Sequence, residues 1–464
     1  MKGILNNSQL DYVLFHLSNH VHLTPEVRES FSFVRSLEET RNLEGRIIFL
    51  LSDRDVDANK AIRFRDIPIL FPVLTGKDIF FIDDHDNLVF FHDLIKSSFY
   101  LLSGYQEYAN PHSKDNLNRF SFTDSIQHRL NFMDKPVVNY YFDFIIEGIE
   151  LFLGRRSKAV VKRRLFSNFG FVLTHDIDKI DLYDINYLVY KIKEIVHLRK
   201  SRLPTSDNVK IFVKGMLNWL HLVKKENPYW NFDFLREVER EGRLRSVFFF
   251  LDQGVRHSDA YYSFNEVRMA RLFTFLQEEK CEIGLHGPVR SIDDRKTMEA
   301  SLNNLRQASR APVTGNRQHR LLWKHPLTAQ LLEEGGLQYD CTLGFAAHEG
   351  FRNSYCLPFK LYDFDNDKMI DLWEFPLNVM DGTLFAYREY TTSQAMEKCM
   401  ALVNEISKFG GLFSLLWHNS FFDEVTYPGV TKFYRDLLEN VVTLKPENVL
   451  GSELLEKIKS HSSR

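Results

Sequence analysis

Two aspartates one residue apart, Asp176 and Asp178 in LTHDID at 173–178, begin the stretch of chain whose residue types could do chemistry together. Further along come His286 in EIGLHG, Arg317 and His319 in NRQHR, Asp371 and Glu374 in DLWEFP, and His418 in LLWHN. Each motif sits on or just beyond a short apolar run. A single polar residue in such a place is readily a helix cap, and a lone histidine after a strand is more often a hydrogen-bonded structural group. Five run ends carrying His, Asp or Arg are harder to read as caps, because clustered ionisable groups are costly to bury unless paired or metal-bound. Carboxylates at i and i+2, joined by imidazoles from other runs, suggest a divalent metal site in which one Asp binds the ion. The other stays free to take a proton from bound water. That is the chemistry of a metal-assisted hydrolase.

The elements that must position these residues are legible in the apolar runs. Strands are expected at Phe171–Thr174, Ser246–Leu251, Glu282–Leu285, Val313–Asn316, Gln338–Thr342, Met369–Phe375 and Leu412–Trp417. Helical patterns lie between most of them, at Phe232–Glu241, Glu266–Glu279, Asp293–Arg310, Thr328–Glu334 and Ser393–Phe409, the last stopped by Gly410-Gly411. Alternating strands and helices predict a parallel sheet with crossover helices, either an α/β barrel or an open doubly wound sheet. In barrels the chemistry sits where the strands end, which is where the motifs fall. Before residue 154 the pattern differs, with strand-like runs at Ile47–Leu51, Ile69–Val73 and Ile79–Ile82, then helices over Leu94–Tyr108 and Tyr140–Phe152. This reads as a small mixed α/β domain over 1–153 with no catalytic constellation. A run of six basic residues within 154–168 reads as a solvated linker, or else as a patch for an anionic sugar or phosphate carrier.

At its five motifs the chain resembles the polysaccharide deacetylase family, the NodB-homology domain of carbohydrate esterase family 4. The order matches throughout: LTHDID stands at the family's first Asp motif, EIGLHG at its His motif, NRQHR at its Arg motif, DLWEFP at its Asp/Trp motif and LLWHN at its Leu-x-His motif. The resemblance implies an irregular (β/α)7 barrel over 169–460. It also implies removal of acetyl groups from N-acetylated amino sugars or a polysaccharide precursor, with a divalent metal, zinc, as cofactor and a carbohydrate as substrate. On this resemblance Asp176 is the general base, Asp178 and His286 bind the metal, Arg317 orients the base and His418 is the general acid. Trp373, Trp417 and Trp323 are candidates for an apolar wall against the sugar or acetyl methyl, with core packing the expected role for at least one; Asp371 and Glu374 are further candidate substrate contacts. FHDLIKSSFYLLSGYQEY at 91–108 also resembles the uncharacterised domain that precedes the deacetylase domain in a group of bacterial proteins.

One position departs from the family. Where a second ligand histidine follows four residues after the first, this chain has Arg290. His319 could complete the ligand set, or Arg290 could occupy the metal's place and leave a carbohydrate-binding barrel without hydrolysis. Hydrolysis of another amide or a cyclic imide on the same barrel is the remaining alternative. Composition bounds the rest. With 59 Lys and Arg against 62 Asp and Glu, the net charge of -3 gives no global basic field for nucleic acid or an anionic membrane. No run approaches the ~18 apolar residues needed to span a bilayer. Four scattered cysteines, Cys281, Cys341, Cys356 and Cys399, form no disulfide framework or metal knuckle. A cytoplasmic protein is expected.

Overall fold

The computed structural model describes the chain except residues 2, 75, 77, 184, 200, 202, 203, 221, 224–226, 255–258, 463 and 464. All seven expected strands are present within a few residues of their expected limits, from Gly170–Ile177 through Ser246–Leu251, Glu282–Gly287, Gly315–Gln318, Tyr339–Asp340 and Lys368–Glu374 to Leu412–Leu416. They join one curled, mostly parallel sheet. From one edge its order is Phe359–Asp363, Lys368–Glu374, Tyr339–Asp340, Gly315–Gln318, Glu282–Gly287, Ser246–Leu251, Gly170–Ile177, Leu412–Leu416 and Val379–Met380. The two edge strands were not expected. Phe359–Asp363 runs antiparallel to Lys368–Glu374, and Val379–Met380 has only two residues. The barrel is therefore irregular and left open.

Local chemistry explains where the crossover helices begin and end. Thr391 and Gln394 form a reciprocal capping box at the start of Thr392–Lys408, and Gly410, at φ +61°, turns the chain out of that helix. Phe232, Leu235 and Val238 line the buried side of Phe232–Glu241 at i, i+3 and i+6, against the sheet. Between the first two parallel strands lies an insertion that was not expected, a pair of helices at Ile185–Ile195 and Thr205–Trp219.

Residues before 154 hold a second, four-stranded sheet, ordered Phe31–Val34, Ile47–Leu50, Leu88–Phe90 and Phe80–Ile82, with a hairpin at Ile62–Phe64 and Ile67–Ile69. The helix expected over Leu94–Tyr108 is broken in two. Gly104 adopts φ +74°, and a Cβ there would lie 2.9 Å from the His325 ring, so only glycine fits. The basic run is folded back onto the protein: Arg155 and Arg156 reach Asp86, Lys158 reaches Glu26, Lys162 reaches Glu150, and Arg164 donates to the carbonyls of Ser407 and Lys408. These charges thus have partners on the chain itself.

Contacts between the N-terminal part and the barrel are buried and polar as well as apolar. Arg352 donates to Glu107 through Nε (2.8 Å) and Nη2 (2.6 Å), with both residues buried. His20 Nε2 lies 2.8 Å from the Tyr355 hydroxyl. Helix Asn7–Leu17 lies along the antiparallel edge, where the Tyr12 hydroxyl donates to the Lys360 carbonyl (2.9 Å) and the Lys360 amide donates to His16 Nε2 (3.0 Å).

Candidate functional site

Strand geometry decides which motif residues can meet. Side chains alternate along a strand, so the i, i+2 spacing sends Asp176 and Asp178 to the interior with Thr174, while His175 turns to the other face. There His175 lies between the Trp417 carbonyl and Glu239, under helix Phe232–Glu241. In the interior, the buried guanidinium of Arg317 donates from Nη1 to Thr174 Oγ1 (2.8 Å) and Asp176 Oδ1 (2.9 Å), and from Nε to the Cys341 carbonyl (2.9 Å). This holds the Asp176 carboxylate in one orientation. The Tyr262 hydroxyl, accepting from the Leu251 amide and donating to the Ile177 carbonyl, bridges the first two strands where Asp178 leaves the sheet.

Asp178, His286 and His319 converge from three strand ends, with one potential ligand atom from each lying within 4.8 Å of the others. His286 Nε2 is 3.2 Å from Asp178 Oδ1, and His319 Nε2 is 3.9 Å from Asp178 Oδ2. The donor set fits a divalent metal. His286 Nδ1 faces the Arg317 carbonyl at 2.9 Å, an acceptor only, so the proton of the neutral ring sits there and Nε2 offers its lone pair. His319 Nδ1 faces Asp259 at 3.1 Å, which fixes its tautomer in the same sense. An imidazole oriented through its second nitrogen by a carbonyl or carboxylate is the usual arrangement of a metal ligand. Burial pushes the Asp178 carboxyl up, but the three surrounding imidazoles outweigh it and hold the group well below the usual range. His286 is pushed up: burial lowers it, and the carboxylates of Asp176 and Asp178 more than compensate.

Opposite Asp176, His418 Nε2 lies 3.9 Å from Asp178 Oδ2, and its Nδ1 is 2.7 Å from the fully buried carboxylate of Asp381. Burial alone would lower the imidazole, yet Asp381 above all, with Asp178 and Asp176, raises it to about 10.

Asp259 and Asp381 were not singled out from the sequence. Asp381 follows a strand of two residues, too short for an apolar run, and Asp259 lies eight residues past its strand in a loop. Gly254 leaves the space Asp259 needs, since its Cβ would fall 2.3 Å from Asp259 Oδ2.

Four candidate substrate contacts are not brought to the cluster, and for Asp371, Trp373 and Trp417 strand parity gives the reason. On Lys368–Glu374, Asp371 and Trp373 share the outer face with Met369, whereas Ile370, Leu372 and Glu374 point inward. The Asp371 side chain is 88% exposed and pairs with Lys360; Trp373 packs on Lys360 and Phe15. Trp417, adjacent to His418, must face the opposite way, and it lies wholly buried against Phe433 and Tyr434. Glu374 is interior but accepts from the Leu343 amide beside Asp340, and burial together with that carboxylate raises its pKa. Trp323 is buried too, its Nε1 donating to His325. Arg290 is exposed and forms no ion pair with Asp178, so it does not occupy the space between the ligand atoms.

Residues 6–152 match a family described as of unknown function, DUF7033. No curated protein matches the chain. Solved structures similar to it include a candidate polysaccharide deacetylase from Mycobacterium smegmatis, at 18% identity and TM-score 0.41, covering 64% of this chain and 90% of that one. A pseudoenzyme of family CE4 from Bacillus anthracis is 9% identical, TM-score 0.32, over 62% of this chain and 66% of that one. A family 4 acetyl xylan esterase from Clostridium thermocellum, in complex with cobalt, is 10% identical, TM-score 0.30, over 62% and 90% respectively.

Proposed function

We propose that residues 169–460 form a metal-dependent hydrolase that removes acetyl groups from N-acetylated amino sugars or a polysaccharide precursor. On this reading 1–153 is a covering unit, 154–168 connects the two, and the setting is cytoplasmic. The observation that carries it is a division of labour around one point: three potential ligands oriented for an ion, a carboxylate oriented by Arg317 with its other oxygen 3.6 Å from His286 Nε2, and an imidazole held by Asp381. A divalent ion, zinc by the nitrogen-rich donor set, would polarise the acetyl carbonyl and lower the pKa of a bound water.

The chain's own residues supply the proton traffic. Asp176 is bonded to Arg317 through Oδ1, and its Oδ2, 3.6 Å from His286 Nε2, faces the donor group and would take a proton from the attacking water. His418 Nε2 faces Asp178 from another strand end and gives its proton to the leaving amine, while Asp381 stabilises the imidazolium. A groove of about 500 Å³ bounded by Lys179, Tyr187, Tyr229 and Phe421, the last lying three residues beyond His418 in the chain, supports an extended, partly aromatic-faced substrate such as a sugar chain. With Arg290 in solvent, the reading as a barrel without hydrolysis loses the feature that motivated it.

The test is acetate release from N-acetylated sugar oligomers by metal-stripped protein before and after zinc, with cyclic imides as a parallel panel. Asp176→Asn is expected to keep zinc and lose about 10²- to 10⁴-fold in kcat, while Asp178→Asn loses both. Metal-independent turnover, or equal loss of zinc in the two variants, overturns the assignment.

A further inference from the structure

The helical insertion after Asp178 buries a polar pair and leaves much of its apolar surface exposed. In Ile185–Ile195, Lys191 and Glu194 are buried and paired at 2.8 Å, with Lys191 also reaching the buried Asn208 of the second helix. Asn218 is buried as well, and Gly215 lets the second helix approach Leu188 and Tyr187 closely. Its exposed surface carries apolar stripes. Val189, Ile192 and Val196 follow i, i+3, i+7 spacing along one exposed stripe, and Val209, Val213 and Leu220 form another. Among the described residues, ten of the twenty exposed large hydrophobic side chains fall within 189–223, including Leu198 at 80% and Leu222 at 68%. An exposed apolar patch of this density marks an interaction surface.

Charge identifies what the surface meets. Residues 189–226 contain nine Lys and Arg against three Asp and Glu, a net of +6 in a chain of net −3. The rest of the molecule therefore carries −9, and the near-neutral total conceals a segregated basic segment. Lys193, Arg199, Lys210 and Lys214 are exposed around the apolar stripes, and Trp219 is 44% exposed at the end of the second helix. Apolar stripes rimmed by lysines, with a tryptophan at the boundary, are the composition of a helix pair lying in a bilayer interface. With 11 and 15 residues, the helices extend about 16 and 22 Å, short of the ~30 Å hydrocarbon core, so they lie along a membrane rather than across it. Among the described residues no helix is long and apolar enough to cross one.

We infer that this hairpin is a docking surface for an anionic lipid bilayer. Its stems are held together by Asn227, which donates to the Ile180 carbonyl (2.7 Å) and accepts from the Leu182 amide (3.2 Å). Asn419, next to His418, donates to the Lys179 carbonyl and so fixes the same stem to the barrel. A docked hairpin accordingly sets the mouth of the candidate site beside the membrane surface. A second copy of the chain is the poorer occupant, because a twofold contact would place the two basic rims against each other.

Sedimentation of the full chain with vesicles of phosphatidylcholine, alone or doped with phosphatidylglycerol, tests this independently of any catalytic reading. Binding is expected only to the doped vesicles and is weakened by salt. The triple variant Lys193→Glu, Lys210→Glu, Lys214→Glu should bind about a hundredfold more weakly, at roughly fivefold per basic residue. Val213→Glu with Leu222→Glu should also lose binding, and Leu117→Glu, exposed elsewhere, should not. Absence of binding by the parent, equal binding to neutral vesicles, or unchanged binding of the variants overturns the proposal. So does a dimer in light scattering that the Val213→Glu, Leu222→Glu variant dissociates.

Discussion

The carboxylate of Asp259 is the most direct handle on whether the three-donor cluster is a metal site. Its Oδ1 lies 3.1 Å from His319 Nδ1 and also accepts the Val289 amide at 2.9 Å, in a position with almost no solvent access. A buried hydrogen bond to a charged partner contributes about 1.5–3 kcal/mol. If that bond orients the imidazole toward the ion, Asp259→Ala should weaken zinc binding by about 10- to 100-fold, the range typical of losing such a supporting carboxylate. Asp259→Asn retains an oxygen acceptor and should fall near the lower limit. His319→Ala removes the ligand itself and should exceed both. Arg290→Ala, a change in solvent, should leave affinity unaltered. Competitive titration of metal-stripped protein against a chromophoric chelator ranks the four variants. Parent-like affinity in Asp259→Ala and His319→Ala together would refute the assignment of His319 as third ligand, and with it the completeness of the site.

Three further outcomes follow from the geometry. Asp381→Asn should lower kcat and move the alkaline limb of the pH–rate profile to lower pH, since the acid must be protonated and Asp381 above all raises His418; an unmoved limb removes His418 from that role. Glu107→Ala leaves Arg352 buried without its partner and should destabilise the chain by about 3–5 kcal/mol in urea unfolding; a loss below about 1 kcal/mol would mean that water reaches the guanidinium. His16 and His20 are lowered to about 3 by burial, so the folded chain refuses protons that the unfolded chain binds below about 6.5. Their contribution is complete above that value and lost as pH falls toward 3, at about 1.4 kcal/mol per pH unit for each, and a double change to Gln should flatten the acid slope of thermal or urea melts.

The parts legible in the sequence are those governed by period and by termination. Alternating apolar runs and helical stripes located all seven parallel strands, and the positions of Asp176, Asp178, His286, Arg317, His319 and His418 at their ends brought these six residues into one cluster. What failed was parity. Asp371 and Glu374 are three apart and cannot share a face of one strand, and Trp417 beside His418 cannot share its direction, so a motif read as a string mixes interior with exterior. Asp259 and Asp381 were illegible because they belong to a loop and to a two-residue strand, neither of which has a period. The hairpin at 185–219 escaped notice for a different reason. Its apolar stripes are real, but they face outward, and total composition averages its basic charge away.

The side chains that Tyr12 and His16 set against Lys360 also bear on the protein's colloidal behaviour. A sheet left open has edges, and an edge with unsatisfied amides is a template on which another chain can grow. One edge here is only two residues long and offers little; the other, Phe359–Asp363, has its outward amide and carbonyl at Lys360 taken up by helix Asn7–Leu17. The helix thus stands where a further strand would otherwise add. Removing His16 as acceptor frees the Lys360 amide, so His16→Ala, or proteolytic loss of the first twenty residues, should cause self-association through this edge at neutral pH.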